Sequence, residues 1–483
     1  MAADTVDVIV LGGGPAGENA AASAIAGSDR TAVLVEADLL GGECSYWACM
    51  PSKALLTPPR VLDTARHMPG VAGRIDAHGV DVAAVLARRD RFTAHHDDTG
   101  QVSWARDAGI DVVRGHARLG GDRTVTVDDA GTSRTLRARH AVVVATGSVP
   151  TVPDLPGLRA ARPWTSRDAT NLRQIPRRVV LVGGGVVACE AATWLRHLGV
   201  EQLTVVVRGP RLLPHVDAVA AAAVADTLRG HAVDIRFGTQ VRSVTRPGAA
   251  HTGIGLVHGG PVTVTLDDGT TVTADEIVVA TGRRPATTDL GVDTVGLTPG
   301  DPITVDEHLT ATDVTGGWLY AIGDVTGRAA LTHMGKYQAR VCGDVIAARA
   351  DGRRLDAPRY RTVADPNAIP QVIFTDPEIA AVGHTTATAR EAGLDVEPLT
   401  VDLDVAGAAL ARDDTSGHAT LVVERGTGIV VGATFTGPDV AELLHAATIA
   451  VTARLTVDTL WHAVPAYPTI SEVWLRLLET RRP

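Results

Sequence analysis

Residues 6–11, Val-Asp-Val-Ile-Val-Leu, are apolar almost throughout, the pattern of a strand buried in a parallel sheet. Gly12-Gly-Gly14-Pro-Ala-Gly17 follows, then an Ala-rich helix to about Ala26. A second apolar run, Val33-Leu-Val-Glu36, ends in an acid 19 residues past Gly17. The same alternation returns at Val179-Val-Leu-Val-Gly183-Gly-Gly185-Val-Val-Ala188-Cys-Glu190 and the run Leu203 to Val207. Between the two copies, residues 55–115 read as mainly helical with polar and charged faces. Residues 110–145 read as short strands with a turn at Asp128-Asp-Ala-Gly131, closing on Ala141-Val-Val-Val-Ala-Thr-Gly147. Pro150, Pro153 and Pro156 mark a crossing to another domain. Residues 232–280 are strand-rich, and a helix is expected from Thr332 or His333. From about residue 355 the composition fits a further domain, whose last helix sets Trp474, Leu475, Leu477 and Leu478 as a core or interface stripe. No apolar run reaches the ~18 residues of a membrane span.

A lone Gly-x-Gly-x-x-Gly is weak; strand, glycines, helix, strand and terminal acid together are specific. Gly12, Gly14 and Gly17 let the backbone approach a pyrophosphate at the helix N-terminus, and Glu36 can accept from a ribose hydroxyl. In the second copy, Gly183 and Gly185 are followed by Ala188 in place of the third glycine, which sets helix and strand slightly further apart. Its second strand ends not in an acid but in Arg208-Gly-Pro-Arg211. An acid there holds a bare ribose, a cation a 2′-phosphate. Arg208 and Arg211 therefore predict NADPH over NADH, although Arg211 reads equally well as an ordinary surface residue.

The chain has 483 residues, enough for more than one domain, and its abundant Gly and 3% aromatics suit a large α/β protein. A net charge of −10 gives no electrostatic case for nucleic acid or an anionic membrane. The N-terminal residues lack a charged stretch followed by an apolar one, and the expectation is a cytoplasmic protein. Cys44, Cys49, Cys189 and Cys342 make no disulfide framework in a chain this long, so a close pair is read as catalytic. His95-His96-Asp97-Asp98 is read as a solvated face rather than a metal site, because adjacent histidines do not share a helix face. Of the 45 basic residues only Lys53 and Lys336 are lysines. A compact ammonium fits where a planar guanidinium does not, so Lys53 marks a position of interest unless it is a chance survivor.

Lys53 closes the stretch Gly41-Gly42-Glu43-Cys44-Ser45-Tyr46-Trp47-Ala48-Cys49-Met50-Pro51-Ser52-Lys53. Five positions exceed one helical turn, so an unbroken helix would point the two sulfurs to different faces. A bridge needs the Cα atoms within about 7 Å, hence a distorted turn after the Gly-Gly. The alternative is a buried pair of small thiols. The stretch resembles the redox-active disulfide of the FAD-dependent pyridine nucleotide-disulfide oxidoreductases, whose members include lipoamide dehydrogenase, glutathione reductase and mercuric reductase. The resemblance runs over nearly the whole chain. It implies two Rossmann-like α/β domains, the NADPH one inserted in the FAD one, and a C-terminal α/β dimerisation domain. The parts would be 1–155 and 283–354 for FAD, 156–282 for NAD(P) and 355–483 for the interface of a homodimer. It further implies Cys44 as interchange thiol, Cys49 as charge-transfer thiol and Lys53 paired with Glu190 near flavin N5. Gly42, Thr146, Gly147, Gly282, Asp324, Thr332 and His333 join the cofactor contacts, the helix N-terminus at Thr332–His333 facing the flavin N1–O2 edge. The interior Ser-Tyr-Trp-Ala departs from the smaller family pattern, and its two aromatics are expected to narrow the space beside the disulfide.

One departure bears on the acceptor. Thiol reductases of the family carry His-Pro-Thr-x-x-Glu near the C-terminus, with the His acting as acid/base from the partner subunit. Here Tyr467-Pro468-Thr469-Ile-Ser-Glu472 puts Tyr467 in the His position. A phenol, ordinarily titrating near 10, is a poor base at pH 7. His462 stands five residues upstream, and Glu472 would orient the hydroxyl. A Tyr here also resembles mercuric reductase, yet the C-terminal cysteine pair and metal-binding N-terminal extension of that family are missing from the sequence. The expectation is an oxidoreductase passing electrons from NADPH through FAD and Cys44–Cys49 to a small disulfide or a thiophilic metal ion. The alternatives are a flavin-level quinone reductase and a dihydrolipoyl dehydrogenase-like component.

Overall fold

The computed structural model describes residues 4–75, 78–365, 367–413 and 415–481. The chain forms two compact units: Met1–Met50, Asp90–Pro150 and Arg283–Pro366 make the first, and Pro51–Arg89, Thr151–Gly282 and Asn367–Pro483 the second.

The first unit is built on β1 (Asp4–Leu11), α1 (Pro15–Ile25) and β2 (Ala32–Glu36). β1 pairs parallel with β2 on one side and with the long strand Thr132–Val144 on the other, and strand Ile110–Arg114 continues the parallel edge beyond β2. Strand Leu319–Ala321 joins the C-terminal end of Thr132–Val144, while two antiparallel strands, Thr124–Asp129 and His116–Leu119, complete seven. Val8, Ile9, Val10 and Leu11 are fully buried, as a strand covered on both faces requires. Each such side chain contributes about 1.5–3 kcal/mol. Helix Thr332–Ala350 lies against α1 through small residues, and a Cβ on Gly343 would sit 2.3 Å from that of Ser23.

The second unit repeats the nucleotide-binding pattern. Strands Arg178–Val182 and Gln202–Val207 flank helix Val186–His197 and belong to a four-stranded parallel sheet completed by Val233–Phe237 and Glu276–Val279. A three-stranded antiparallel sheet, 241–274, sits in the chain between those last two strands. The C-terminal segment forms a five-stranded antiparallel sheet with helices, ending in Glu472–Glu479, whose Trp474, Leu477 and Leu478 are buried.

Residues 55–115 are mainly helical, as expected, in the helices Cys49–Arg66, Val82–Phe92 and Thr99–Asp107, and the strands expected from residue 110 start at Ile110. His95 and His96 lie in a short 3-10 turn with positive φ, and the His96 ring packs on Trp47 with centroids 4.4 Å apart. Asp98 accepts from the Leu40 amide at 2.7 Å and from Arg114. His95 and Asp97 are exposed, as a solvated face requires, whereas His96 and Asp98 are half-buried in packing. Among the described residues, no helix is long and apolar enough to cross a membrane.

Candidate redox site

Gly41 and Gly42 both take positive φ, +108° and +61°, and a Cβ on Gly42 would lie 2.6 Å from Gly14 Cα. Only glycine tolerates that combination of backbone conformation and close approach. The pair turns the chain into α2 (Gly42–Tyr46), which carries Cys44; the helix breaks at Trp47–Ala48 and restarts as α3 (Cys49–Arg66). The break overrides the helical spacing and brings the two sulfurs into hydrogen-bonding contact as an unbridged pair of thiols. Thr332 Oγ1 lies 3.3 Å from Cys49 Sγ. The hydrogen bond to Cys49, with burial, pushes the Cys44 thiol far up, while Thr332 and the Lys336 ammonium pull it down. Contrary to expectation, the two aromatics are absorbed by packing: Tyr46 is buried with its hydroxyl donating to Leu40 O at 2.9 Å, and Trp47 packs on His96.

The surrounding cradle is glycine-built. A Cβ on Gly12 would meet Ala145 O at 2.5 Å, and one on Gly17 would meet Gly12 O at 1.9 Å. Glu36 Oε2 accepts from Gly13 N at 2.6 Å and Oε1 from Asp38 N at 2.7 Å, which fixes the carboxylate at the end of β2. Thr146 donates to Ala286 O, and Gly147 has φ +72°. Asp324 opens a 3-10 turn after strand Leu319–Ala321 and accepts from Ser148 Oγ at 2.5 Å; Arg283 Nε donates to that same hydroxyl at 2.7 Å. Helix Thr332–Ala350 begins after Leu331 without a side-chain cap, so its positive dipole end remains uncompensated by a capping oxygen. His333 is exposed on that first turn. Narrow glycine-lined backbone, an acid at the strand end and an uncapped helix start fit the adenosine, pyrophosphate and flavin parts of FAD.

In the second unit, Lys53 Nζ donates to Glu190 Oε2 at 2.7 Å and stands over the Phe374 ring, 4.8 Å from its centroid. Glu190, buried on helix Val186–His197, also accepts from Phe374 N at 3.0 Å. A Cβ on Gly183 would strike Ala280 O at 2.3 Å, whereas Gly185 faces open space and Gly282 has φ +122°. Arg208 is exposed and its side chain makes no hydrogen bond or ion pair with the described residues. Arg211 spends its guanidinium on Val216 O at 2.9 Å and Pro214 O at 2.7 Å, shaping its own loop. Tyr467 is 76% exposed and His462 is exposed too. Glu472 is buried and held by Arg476 at 2.6 Å, while its Oε2 has no hydrogen-bond partner.

Sequence reasoning missed Ser148 and Arg283 as partners of Asp324, Phe374 as the platform for Lys53, and two groups near the thiols. Lys336, one of the only two lysines, acts electrostatically on Cys44. Glu18, in the first turn of α1, is 7% exposed, and its Oε1 has no hydrogen-bond partner. Burial pushes its carboxyl from 4.5 up to about 7, with Glu36 adding to the rise and Lys336 opposing it. The raised folded value makes ionisation a cost that is absent below pH 4.5, grows as pH rises and is complete above pH 7. Glu18→Gln should therefore leave stability unchanged at pH 4.5 and raise it by about 3 kcal/mol at pH 8, measured by denaturant unfolding at both pH values. Equal stability changes at the two would contradict this.

Comparison with known proteins agrees in kind. Residues 6–339 match the family described as pyridine nucleotide-disulphide oxidoreductase, and residues 369–477 match its dimerisation domain. The chain is 34% identical over 473 residues to mercuric reductase of Streptomyces lividans, covering 96% of this chain and 94% of the relative. It is 32% identical over 485 residues to dihydrolipoyl dehydrogenase of Chlamydia pneumoniae, covering 99% and 97%. Among solved structures, LpdA from Mycobacterium tuberculosis superposes with a TM-score of 0.82 at 26% identity, over 99% of this chain and 100% of that one. The HOCl-induced flavoprotein disulfide reductase RclA from Escherichia coli, in a Cu(II) complex, gives 0.83 at 22% identity over 99% and 100%, a likeness of fold.

Proposed function

The chain belongs to the pyridine nucleotide-disulphide oxidoreductase family and is a flavoprotein disulfide reductase-type oxidoreductase using FAD and a pyridine nucleotide; from that premise we propose that it carries electrons from NADPH to the Cys44–Cys49 pair and on to a small disulfide or a thiophilic metal ion. The observation that carries the reading is the paired thiols, drawn together by the break between α2 and α3, with Cys49 Sγ 3.3 Å from Thr332 Oγ1.

FAD, when bound, supplies the two-electron relay. Gly12, Gly14 and Gly17 would take its pyrophosphate against backbone, Glu36 its ribose, and Asp324, steadied by Ser148 and Arg283, its ribityl chain. The uncapped first turn at Thr332 favours negative charge beside it. Cys44 then serves as the attacking thiol, and Cys49, held by Thr332, as the thiol facing the cofactor. Lys53, fixed by Glu190 and Phe374, keeps a positive charge for the flavin reduction step. We assign residues 1–155 and 283–354 to FAD binding, 156–282 to NAD(P) and 355–483 to the subunit interface; the dimerisation domain supports a homodimer.

For the coenzyme, Arg208 is the residue that supports a 2′-phosphate, since Arg211 is committed to its loop carbonyls. Charge-assisted bonds contribute about 1.5–3 kcal/mol, so Arg208→Ala should lower kcat/KM for NADPH by roughly tenfold to a hundredfold and leave NADH unchanged. Equal kcat/KM for both coenzymes in the wild type, unaltered in the variant, would refute the preference.

The acceptor is argued from Tyr467. Without a neutral-pH base at this position, acceptors needing no proton relay are favoured, which points to thiophilic metal ions and quinones over large disulfides. The relatives named mercuric reductase support the first. An acceptor screen with NADPH comparing wild type and Cys44→Ser decides the matter. Loss of disulfide and metal-ion reduction in the variant supports the dithiol route. Undiminished turnover of every acceptor would transfer the reading to a flavin-level quinone reductase.

A further inference from the structure

α1 and helix Thr332–Ala350 meet at their first turns, where a Cβ on Gly335 would lie 3.2 Å from that of Ala16. Four groups converge on this junction. Thr332 and Lys336, four apart, share one helix face; Thr332 touches Cys49 at 3.3 Å. The Lys336 ammonium acts through its charge on both Cys44 and Glu18. Glu18 is buried and its Oε1 lacks any hydrogen bond, although carboxylates left so inside a protein are uncommon. The remaining charged or titratable groups that feel Glu18 are Glu36 at the end of β2 and Tyr46 on α2. One ammonium thus serves two acids, a carboxyl and a thiol, in the same unit.

We propose that Glu18 is a proton-holding positioning residue that exchanges its claim on Lys336 with Cys44 as the cysteine pair is reduced and reoxidised. In the oxidised pair, the Glu18 carboxylate balances the Lys336 ammonium. Two electrons originating in the reduced pyridine nucleotide break the sulfur–sulfur bond. Of the two protons taken up, one from the hydride equivalent and one from solvent, one goes to a cysteine and one to Glu18. The products are one thiolate, one thiol, a neutral carboxyl and an unchanged ammonium, so the cluster's net charge is zero before and after. No charge is stranded in a half-buried site, and the compensation lies in the subunit that carries the cysteines, independent of Tyr467. The inference rests on the reading of Cys44 as the reactive thiol. Burial, which lifts the Glu18 carboxyl to about 7, makes the exchange available near neutral pH.

The test is the pH profile of Cys44 alkylation by iodoacetamide in the dithiothreitol-reduced holoprotein, followed by mass spectrometry, in wild type, Glu18→Gln and Lys336→Gln. The wild-type rate should flatten near pH 7 as Glu18 ionises and draws on Lys336. In Glu18→Gln the flattening should vanish and Cys44 should react about threefold to tenfold faster at pH 8. Lys336→Gln, an exposed position tolerant of change, should slow Cys44 by a similar factor and remove the flattening too. Superimposable profiles for wild type and both variants overturn the inference while leaving Cys44 as the reactive thiol. Failure of Cys44 to alkylate at any pH overturns that underlying reading as well.

Discussion

Tyr467→His is expected to raise turnover of small disulfides by about 10²–10⁴-fold, the usual contribution of a positioned general acid–base. Interchange needs a thiolate at Cys44 to attack and a proton for the sulfur that leaves. The hydrogen bond to Cys49 and burial hold the Cys44 proton firmly, so a base has much to contribute. A phenol can give a proton but takes one poorly near neutral pH. Five residues along the chain, Glu472 is buried and tied by one oxygen to Arg476, and its Oε2 is without a partner among the described residues. The check is steady-state turnover with lipoamide and glutathione disulfide against a quinone, from pH 5 to 9. The gain should appear only with the disulfides and should follow an imidazole titration around 6.5. Fast wild-type turnover of either disulfide, abolished in His462→Ala, would assign the base to His462 and sink the argument from Tyr467.

What was legible in the chain was whatever lies within one supersecondary unit. The glycine spacing predicted both strand–turn–helix units, and within the first of them a Cβ at Gly17 would collide with Gly12 O, whereas the collisions at Gly12 and Gly183 are with Ala145 and Ala280, more than ninety residues further on. The start of the helix at Thr332 followed from the resemblance of the Leu319–Asp324 stretch to the family's flavin motif. The relation of Cys44 to Cys49 was legible only as a demand for a broken helix; the break itself depends on Gly41 and Gly42 at positive φ, with Gly42 packed on Gly14 from 28 positions away. Groupings formed by folding across long separations left no local signal. Ser148, Arg283 and Asp324 meet because three strand ends converge, and Phe374 reaches Lys53 from just past a strand more than three hundred residues distant. Arg211 illustrates a different limit. A cation after the second strand suits a phosphate, yet the turn through Leu213, with φ +46°, aims two carbonyls back at its guanidinium. His96 failed for the same kind of reason: helical periodicity was assumed where a left-handed turn presents the ring to Trp47.

Lys53→Met is expected to lower the stability of the protein by about 3–5 kcal/mol, the cost of stranding one partner of a buried ion pair. The pair is asymmetric. The Lys53 side chain is 34% exposed while that of Glu190 is 5% exposed, so it is the carboxylate that would be left uncompensated, with Phe374 N its one remaining donor. Loss of the ammonium over the Phe374 ring adds a further increment of about 0.5–1 kcal/mol. Replacing both members, Lys53→Met with Glu190→Gln, should recover most of the loss, because neither charge is then buried alone; a double-mutant cycle read by urea unfolding isolates the coupling. Lys53→Arg separates structure from chemistry. The charge is kept and Glu190 stays paired, so stability should fall by less than in Lys53→Met. A planar guanidinium nonetheless cannot stand where a compact ammonium fits between Glu190 and the Phe374 face, and the rate of flavin reduction by NADPH in a stopped-flow experiment should drop. Full stability in Lys53→Met would show that the pair is solvated in solution. Undiminished flavin reduction in Lys53→Arg would confine Lys53 to a structural role and leave its survival in an arginine-rich chain without a chemical reason.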